Sequence, residues 1–182
     1  KDFERYAYIG RVYQNPSMGN CPNMTILENM SLADNKGKPF GLSFALNKKR
    51  YDFYREQLSS LGLGLEDKLH VKMGSLSGGQ RQAVSLIMAT LTPIDFLILD
   101  EHTAALDPKT AEIIMELTDK VVKQKKLTAV MVTHNLRYAV EYGSRLVMMD
   151  RGILDKAGED KKNTSIDDIL AIFNKISIEC GN

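Results

Sequence analysis

Three short apolar runs, each ending abruptly in polar residues, constrain this chain more than anything else in it. Ile94-Asp95-Phe96-Leu97-Ile98-Leu99 runs into Asp100-Glu101, Thr128-Ala129-Val130-Met131-Val132 into Thr133-His134, and Arg145-Leu146-Val147-Met148-Met149 into Asp150-Arg151-Gly152. Short continuous apolar runs separated by helical patterns read as strands of a parallel sheet buried on both faces. The helix between the first two is well marked. Asp107 can cap it, Pro108 suits the first helical position, and Ile113, Ile114, Leu117 and Val121 form one apolar stripe. Strand, helix and strand make a βαβ unit. In open α/β sheets, functional groups gather beyond the carboxyl ends of the strands, so Asp100, Glu101 and His134 are expected on one edge.

Residues 15–92 read differently, mostly as helix. Thr25 and Glu28 are spaced as a capping box ahead of Met30 and Leu32, and residues 42–61 carry spaced apolar positions at Phe44, Leu46, Tyr51, Tyr54 and Leu58. This stretch is expected to form a helical lobe inserted into the sheet domain. From Ser165 a cap-like Ser-Ile-Asp-Asp leads into Ile169, Leu170, Ile172 and Phe173, an amphipathic helix.

Composition narrows the class. With 182 residues, 43% hydrophobic and 26% charged, the chain matches ordinary globular domains and can bury a core. Its 24 basic and 23 acidic residues leave a formal charge of +1, which gives no electrostatic footprint for nucleic acid, so none is expected as a partner. Cys21 and Cys180 lie at opposite ends without metal-ligand spacing; both are read as free thiols, and no zinc site is expected. No apolar run approaches the ~18 residues that cross a bilayer. The opening Lys-Asp-Phe-Glu-Arg-Tyr has neither an initiator methionine nor an apolar h-region, so the chain reads as cut at its front rather than as a secreted precursor.

Two segments carry the chemistry. In Leu76-Ser77-Gly78-Gly79-Gln80, Ser77 and Gln80 are spaced as a capping box for the helix that follows, which puts both glycines in its first turn. Glycine costs about 1 kcal/mol relative to alanine inside a helix. At a helix N-terminus, however, free N–H groups and the dipole attract anions, and a missing Cβ lets a phosphate come close. For a plain helix cap, Gly79→Ala is expected to raise folding stability by up to about 1 kcal/mol at no functional cost; where a phosphate docks, it should block the approach while stability holds or rises. The second segment, Phe96 to Leu99 followed by Asp100 and Glu101, describes a strand delivering adjacent carboxylates to the sheet edge. One acid can support Mg²⁺ through its water shell, and its neighbour can orient and deprotonate a water.

These segments together resemble the ATP-binding cassette (ABC) ATPases: Leu76 to Gln80 resembles the signature motif and Phe96 to Glu101 the Walker B strand. Tyr13-Gln14-Asn15-Pro16 resembles the Q-loop, Ala105-Leu106-Asp107 the D-loop, and Val132-Thr133-His134-Asn135 the switch-histidine segment, all in the family's order. The stretches 76–93 and 99–108 look most like ATPase subunits of bacterial importers associated with aromatic amino acids. The resemblance implies a P-loop NTPase (RecA-like) parallel-sheet core with an inserted helical subdomain, incomplete at the N-terminus. Residues 1–14 and 93–164 would be the partial core, 15–92 the helical subdomain, and 165–182 a C-terminal helix and tail. It further implies that Gln14 and Asp100 order Mg²⁺ and water, that Glu101 is the catalytic base, and that His134 meets the γ-phosphate or the attacking water. Ser77, Gly78, Gly79 and Gln80 would meet ATP held by the opposite subunit of a head-to-tail dimer, with Asp107 at that interface. Implied partners are a second ATPase subunit, transmembrane permease subunits and a substrate-binding protein, at the cytoplasmic face of the membrane.

The chain departs from the family in lacking any Gly-x-x-x-x-Gly-Lys-[Ser/Thr] segment, the amides and lysine that cradle phosphates. It is expected to be inactive alone and to act in an intact protein. His102 stands where proline or alanine is commoner and Ala83 where a basic residue is; His102 is assigned no ligand role. Two alternatives stay open. One is an ABC-type ATPase of DNA maintenance, against which stand the 62 residues between Gln14 and Ser77, without sustained heptads. The other is a non-enzymatic interaction module, against which stands the retention of Glu101 and His134.

Overall fold

Three of the helices begin at caps written in the sequence. The computed structural model describes residues 2–38, 48–150, 153–155, 167 and 169–171. In chain order they form helix α1 (Asp2–Tyr6), strand β1 (Ile9–Val12), helices α2 (Ile26–Asp34), α3 (Tyr51–Ser59) and α4 (Gly78–Ala89), strand β2 (Phe96–Asp100), helix α5 (Pro108–Lys125), strand β3 (Thr128–Val132), helix α6 (Leu136–Glu141) and strands β4 (Met148–Asp150) and β5 (Ile153–Asp155). Thr25 with Glu28 and Ser77 with Gln80 form complete capping boxes on α2 and α4, and Asp107 caps α5 through the Thr110 N–H with Pro108 in the first turn. These side chains satisfy donors that a helix start otherwise leaves without partners.

The chain divides into two units, Lys1–Val132 and Thr133–Asn182. In the first, β1 pairs parallel with β2 and β2 with β3, with Val12 opposite Leu99 and Leu99 opposite Met131. Helix α4 lies directly on β1: a Cβ at Gly10 would stand 2.5 Å from the Ala89 carbonyl oxygen, so only glycine admits so close an approach. One apolar core runs from Ile26 and Met30 on α2 through Tyr54 and Leu58 on α3 and Leu86 on α4 to Leu97 and Leu99 on β2 and Ile114 on α5.

Three expectations are corrected. Among the described residues the sheet is buried on one face and half-buried to exposed on the other: alternation leaves Val130 and Val132 on β3 47% and 50% exposed, while Leu97 and Leu99 on β2 are buried. The third apolar run is not a further parallel strand of this sheet among the described residues; Met148–Asp150 pairs antiparallel with Ile153–Asp155 inside the second unit. On α5 the buried face is Ala111, Ile114, Met115, Thr118 and Val121, and Ile113 points outward. Phe44, Leu46, Ile172, Phe173, Cys180 and most of the expected C-terminal helix lie outside the described residues.

A polar cluster braces the helical stretch. Asp34, at the end of α2 and nearly buried, accepts a hydrogen bond from the Tyr54 hydroxyl at 3.0 Å and an ion pair from Arg50 at 2.5 Å. Arg50 also lies over the Phe53 ring at 4.1 Å. Buried Asn29 donates to the carbonyls of Cys21 and Thr25 and accepts from the Cys21 N–H, which ties down the loop ahead of α2. Both clusters satisfy polar groups that would be costly to bury alone.

Candidate functional site

Because β1 and β2 run parallel in register, Val12 and Leu99 come level and the chain leaves both strands at the same carboxyl edge. Gln14 follows one strand and is exposed; Asp100 and the half-buried Glu101 end the other. The Arg11 guanidinium bridges the two, with Nη2 2.7 Å from Asp100 Oδ2, and that hydrogen bond pushes the Arg11 pKa further up. Asp100 and Gln14 are hard oxygen donors suited to a hydrated divalent cation, which keeps several waters and relies on phosphate oxygens for the rest. Among the described residues no group of three or more His, Cys, Asp or Glu forms a cage that would hold a metal unaided.

Glu101 adopts φ +45°, a left-handed conformation uncommon outside glycine. Its N–H donates to Val132 and its carbonyl accepts from Ala104, so β3 and the following turn hold this geometry. The next residue, His102, is turned into the core. Its Nε2 lies 3.2 Å from Thr118 Oγ1, and the Thr118 hydroxyl already donates to the Ile114 carbonyl at 2.7 Å. Thr118 can therefore only accept, which makes Nε2 the protonated nitrogen of a neutral ring. Burial lowers the His102 pKa to about 4, in keeping with that neutral form. This side chain pegs the residue after Glu101 to α5.

The start of α4 is placed by two contacts. Gln82, fully buried, donates from Nε2 to the Tyr13 carbonyl at 2.9 Å, joining α4 to the backbone just before Gln14. Gly79 faces α5: a Cβ there would lie 2.3 Å from Thr110 Cγ2. Gly79→Ala therefore sets helix propensity against a clash with the neighbouring helix, a contact the local spacing does not reveal. Ser77 is exposed and its Oγ accepts from the Gln80 N–H at 3.2 Å. Asp107, also exposed, has its pKa lowered by its hydrogen bonds to Thr110. His134 belongs to the second unit and is exposed, in the turn where Asn135 caps α6.

Arg11, Gln82, Thr110 and Thr118 were not read from the sequence. For Gln82 a signal existed, an amide ahead of the apolar run Ala83-Val84-Ser85-Leu86-Ile87 on one buried helix. For Arg11 there was none, since its partner lies 89 residues away and only the strand register joins them.

Comparison with known proteins matches residues 4–104 to the family described as ABC transporter. The chain is 47% identical over 174 residues to a tyrosine transport ATP-binding protein of Clostridioides difficile, covering 94% of this chain and 69% of that protein. It is 33% identical over 150 residues to a glutamine transport ATP-binding protein of Geobacillus stearothermophilus, covering 82% of this chain and 58% of that one. Among solved structures, an ATP-binding cassette described as a dimer in a post-hydrolysis state with ADP and Pi matches with TM-score 0.66 at 30% identity, covering 85% of this chain and 65% of that one. The ADP conformation of another ATP-binding cassette matches in fold with TM-score 0.76 at 24% identity, covering 99% and 71%. The chain therefore spans between about six tenths and about seven tenths of the length of these relatives.

Proposed function

Since the chain belongs to the ABC transporter ATPase family, we propose that it is the part of an importer's ATP-hydrolysing subunit that carries the catalytic base and the signature helix, working in a head-to-tail dimer on the cytoplasmic face of the membrane. The observation that carries this reading is the shared carboxyl edge of β1 and β2, where Gln14, Asp100 and Glu101 leave the sheet together. Mg²⁺, when bound with ATP, neutralises charge on the phosphates. Asp100 and Gln14 would hold its water shell, and Glu101 would accept the proton of the attacking water. His134 would contact the γ-phosphate or that water, while Ser77, Gly78, Gly79 and Gln80 present the N-terminus of α4 to the phosphates of the opposite subunit. Asp107 would stand at that interface while capping α5. Permease subunits and a substrate-binding protein complete the transporter. An aromatic amino acid, tyrosine above all, is the solute favoured by the name of the 47%-identical relative.

These 182 residues contain no phosphate-cradling Gly-x-x-x-x-Gly-Lys-[Ser/Thr], so by themselves they should not turn over ATP. Joined to a segment that supplies it, the chain should hydrolyse ATP with Mg²⁺. Glu101→Gln should then keep ATP bound while the rate falls by about 10²-fold or more. A rate within a factor of about two of the parent would mean that Glu101 is not the base.

A further inference from the structure

Arg11 lies opposite Ile98 in the parallel register of β1 and β2, and Ile98 and Asp100 share one face of β2. The Arg11 side chain therefore sits two residues short of Asp100 on the same face, and its guanidinium spans the gap to reach Oδ2 at 2.7 Å. The same guanidinium lies 4.6 Å from the centre of the Tyr13 ring. Resting on the reading of Asp100 as the acid that faces Mg²⁺, we propose that Arg11 is a built-in counter-ion that occupies Asp100 in the cation-free chain and yields it to an arriving divalent cation, with the Tyr13 ring retaining the guanidinium once it is released.

Three features support this exchange. First, Asp100 precedes Glu101 directly at the strand end, and a resident positive charge offsets the repulsion between adjacent carboxylates when no cation is present. Second, the side chains of Arg11 and Asp100 are 48% and 39% exposed, so the pair is a weak, solvent-screened one that a doubly charged ion can displace; a buried pair would resist. Third, the stacking partner is already in place, and an arginine over an aromatic face needs no new contact to remain ordered. Arg11 is thus a positioning residue: it fixes the Asp100 carboxylate in advance and raises the cation concentration at which the site fills.

The test joins the chain to a segment that supplies the phosphate cradle, adds ATP, and uses Mn²⁺ as a paramagnetic probe, followed by broadening of the backbone amides of Val12 and Leu99 at rising cation concentration. Arg11→Met should tighten Mn²⁺ at this edge by about fivefold, the limit set by a surface ion pair. Arg11→Gln, neutral but polar, should give the same gain, which separates charge from packing. Asp100→Asn should abolish the local broadening. Equal midpoints for the parent and both Arg11 variants, with broadening still lost in Asp100→Asn, would overturn the counter-ion role alone. Broadening that persists in Asp100→Asn would overturn the assignment of Asp100 to the cation.

Discussion

Gly79→Ala is the most informative single change, because two physical effects of opposite sign meet at one methyl group. Alanine in the first turn of α4 gains up to about 1 kcal/mol of helix propensity. Against this, the new Cβ would stand 2.3 Å from Thr110 Cγ2. Carbon atoms rest at about 3.5–4.0 Å, so α4 and α5 must part by roughly 1.5 Å or Thr110 must leave its rotamer. Overpacking of this kind costs about 1–3 kcal/mol, and Thr110 has little freedom to move bodily because its N–H is held by the Asp107 carboxylate at 3.1 Å. The expected net loss is about 1–2 kcal/mol, or roughly 2–8 °C in Tm for a chain of this size. The assay is a thermal melt of the parent, Gly79→Ala, Thr110→Ser and the double variant. Thr110→Ser removes the offending methyl and keeps the hydroxyl, so in that background Gly79→Ala should be neutral or stabilising, with a coupling of about 1 kcal/mol or more. A rise in Tm for Gly79→Ala in the parent, or a coupling near zero, would refute the contact. The same cycle cleans up the functional reading: only a defect that survives in the refolded double variant can be laid to a blocked phosphate approach.

Other outcomes follow from buried polar groups. His102 has a pKa of about 4 when folded against an ordinary 6.5 when unfolded, so between those values only the unfolded chain takes up the proton, and stability is full above pH 6.5 and falls as the pH drops. From pH 7.5 to pH 5 the parent should lose about 2 kcal/mol more than His102→Gln in urea unfolding; equal losses would exclude a buried neutral imidazole. Tyr54→Phe removes the 3.0 Å hydrogen bond to buried Asp34 and should cost about 2 kcal/mol in the same assay, and a loss below about 0.5 kcal/mol would show that the hydroxyl is not committed there.

What the sequence determined by itself is local or periodic. Thr25, Ser77 and Asp107 cap the helices they precede because a cap and the N–H groups it serves lie within three residues of each other. The runs 96–99 and 128–132 are strands because a β-rich apolar run between turn signals has few other states. Adjacent acids at a strand end were legible for the same reason. Tertiary structure decided everything that joins distant segments. Which face of β3 is covered, whether residues 145–149 join the parallel sheet, and that Arg11 meets Asp100 all depend on strand order and register, which no window of sequence contains. Gly79 shows the difference most sharply. Its place in a helix's first turn was readable from Ser77 and Gln80, but what a methyl there would meet is Thr110, thirty-one residues on, brought against it by the packing of α5 on α4.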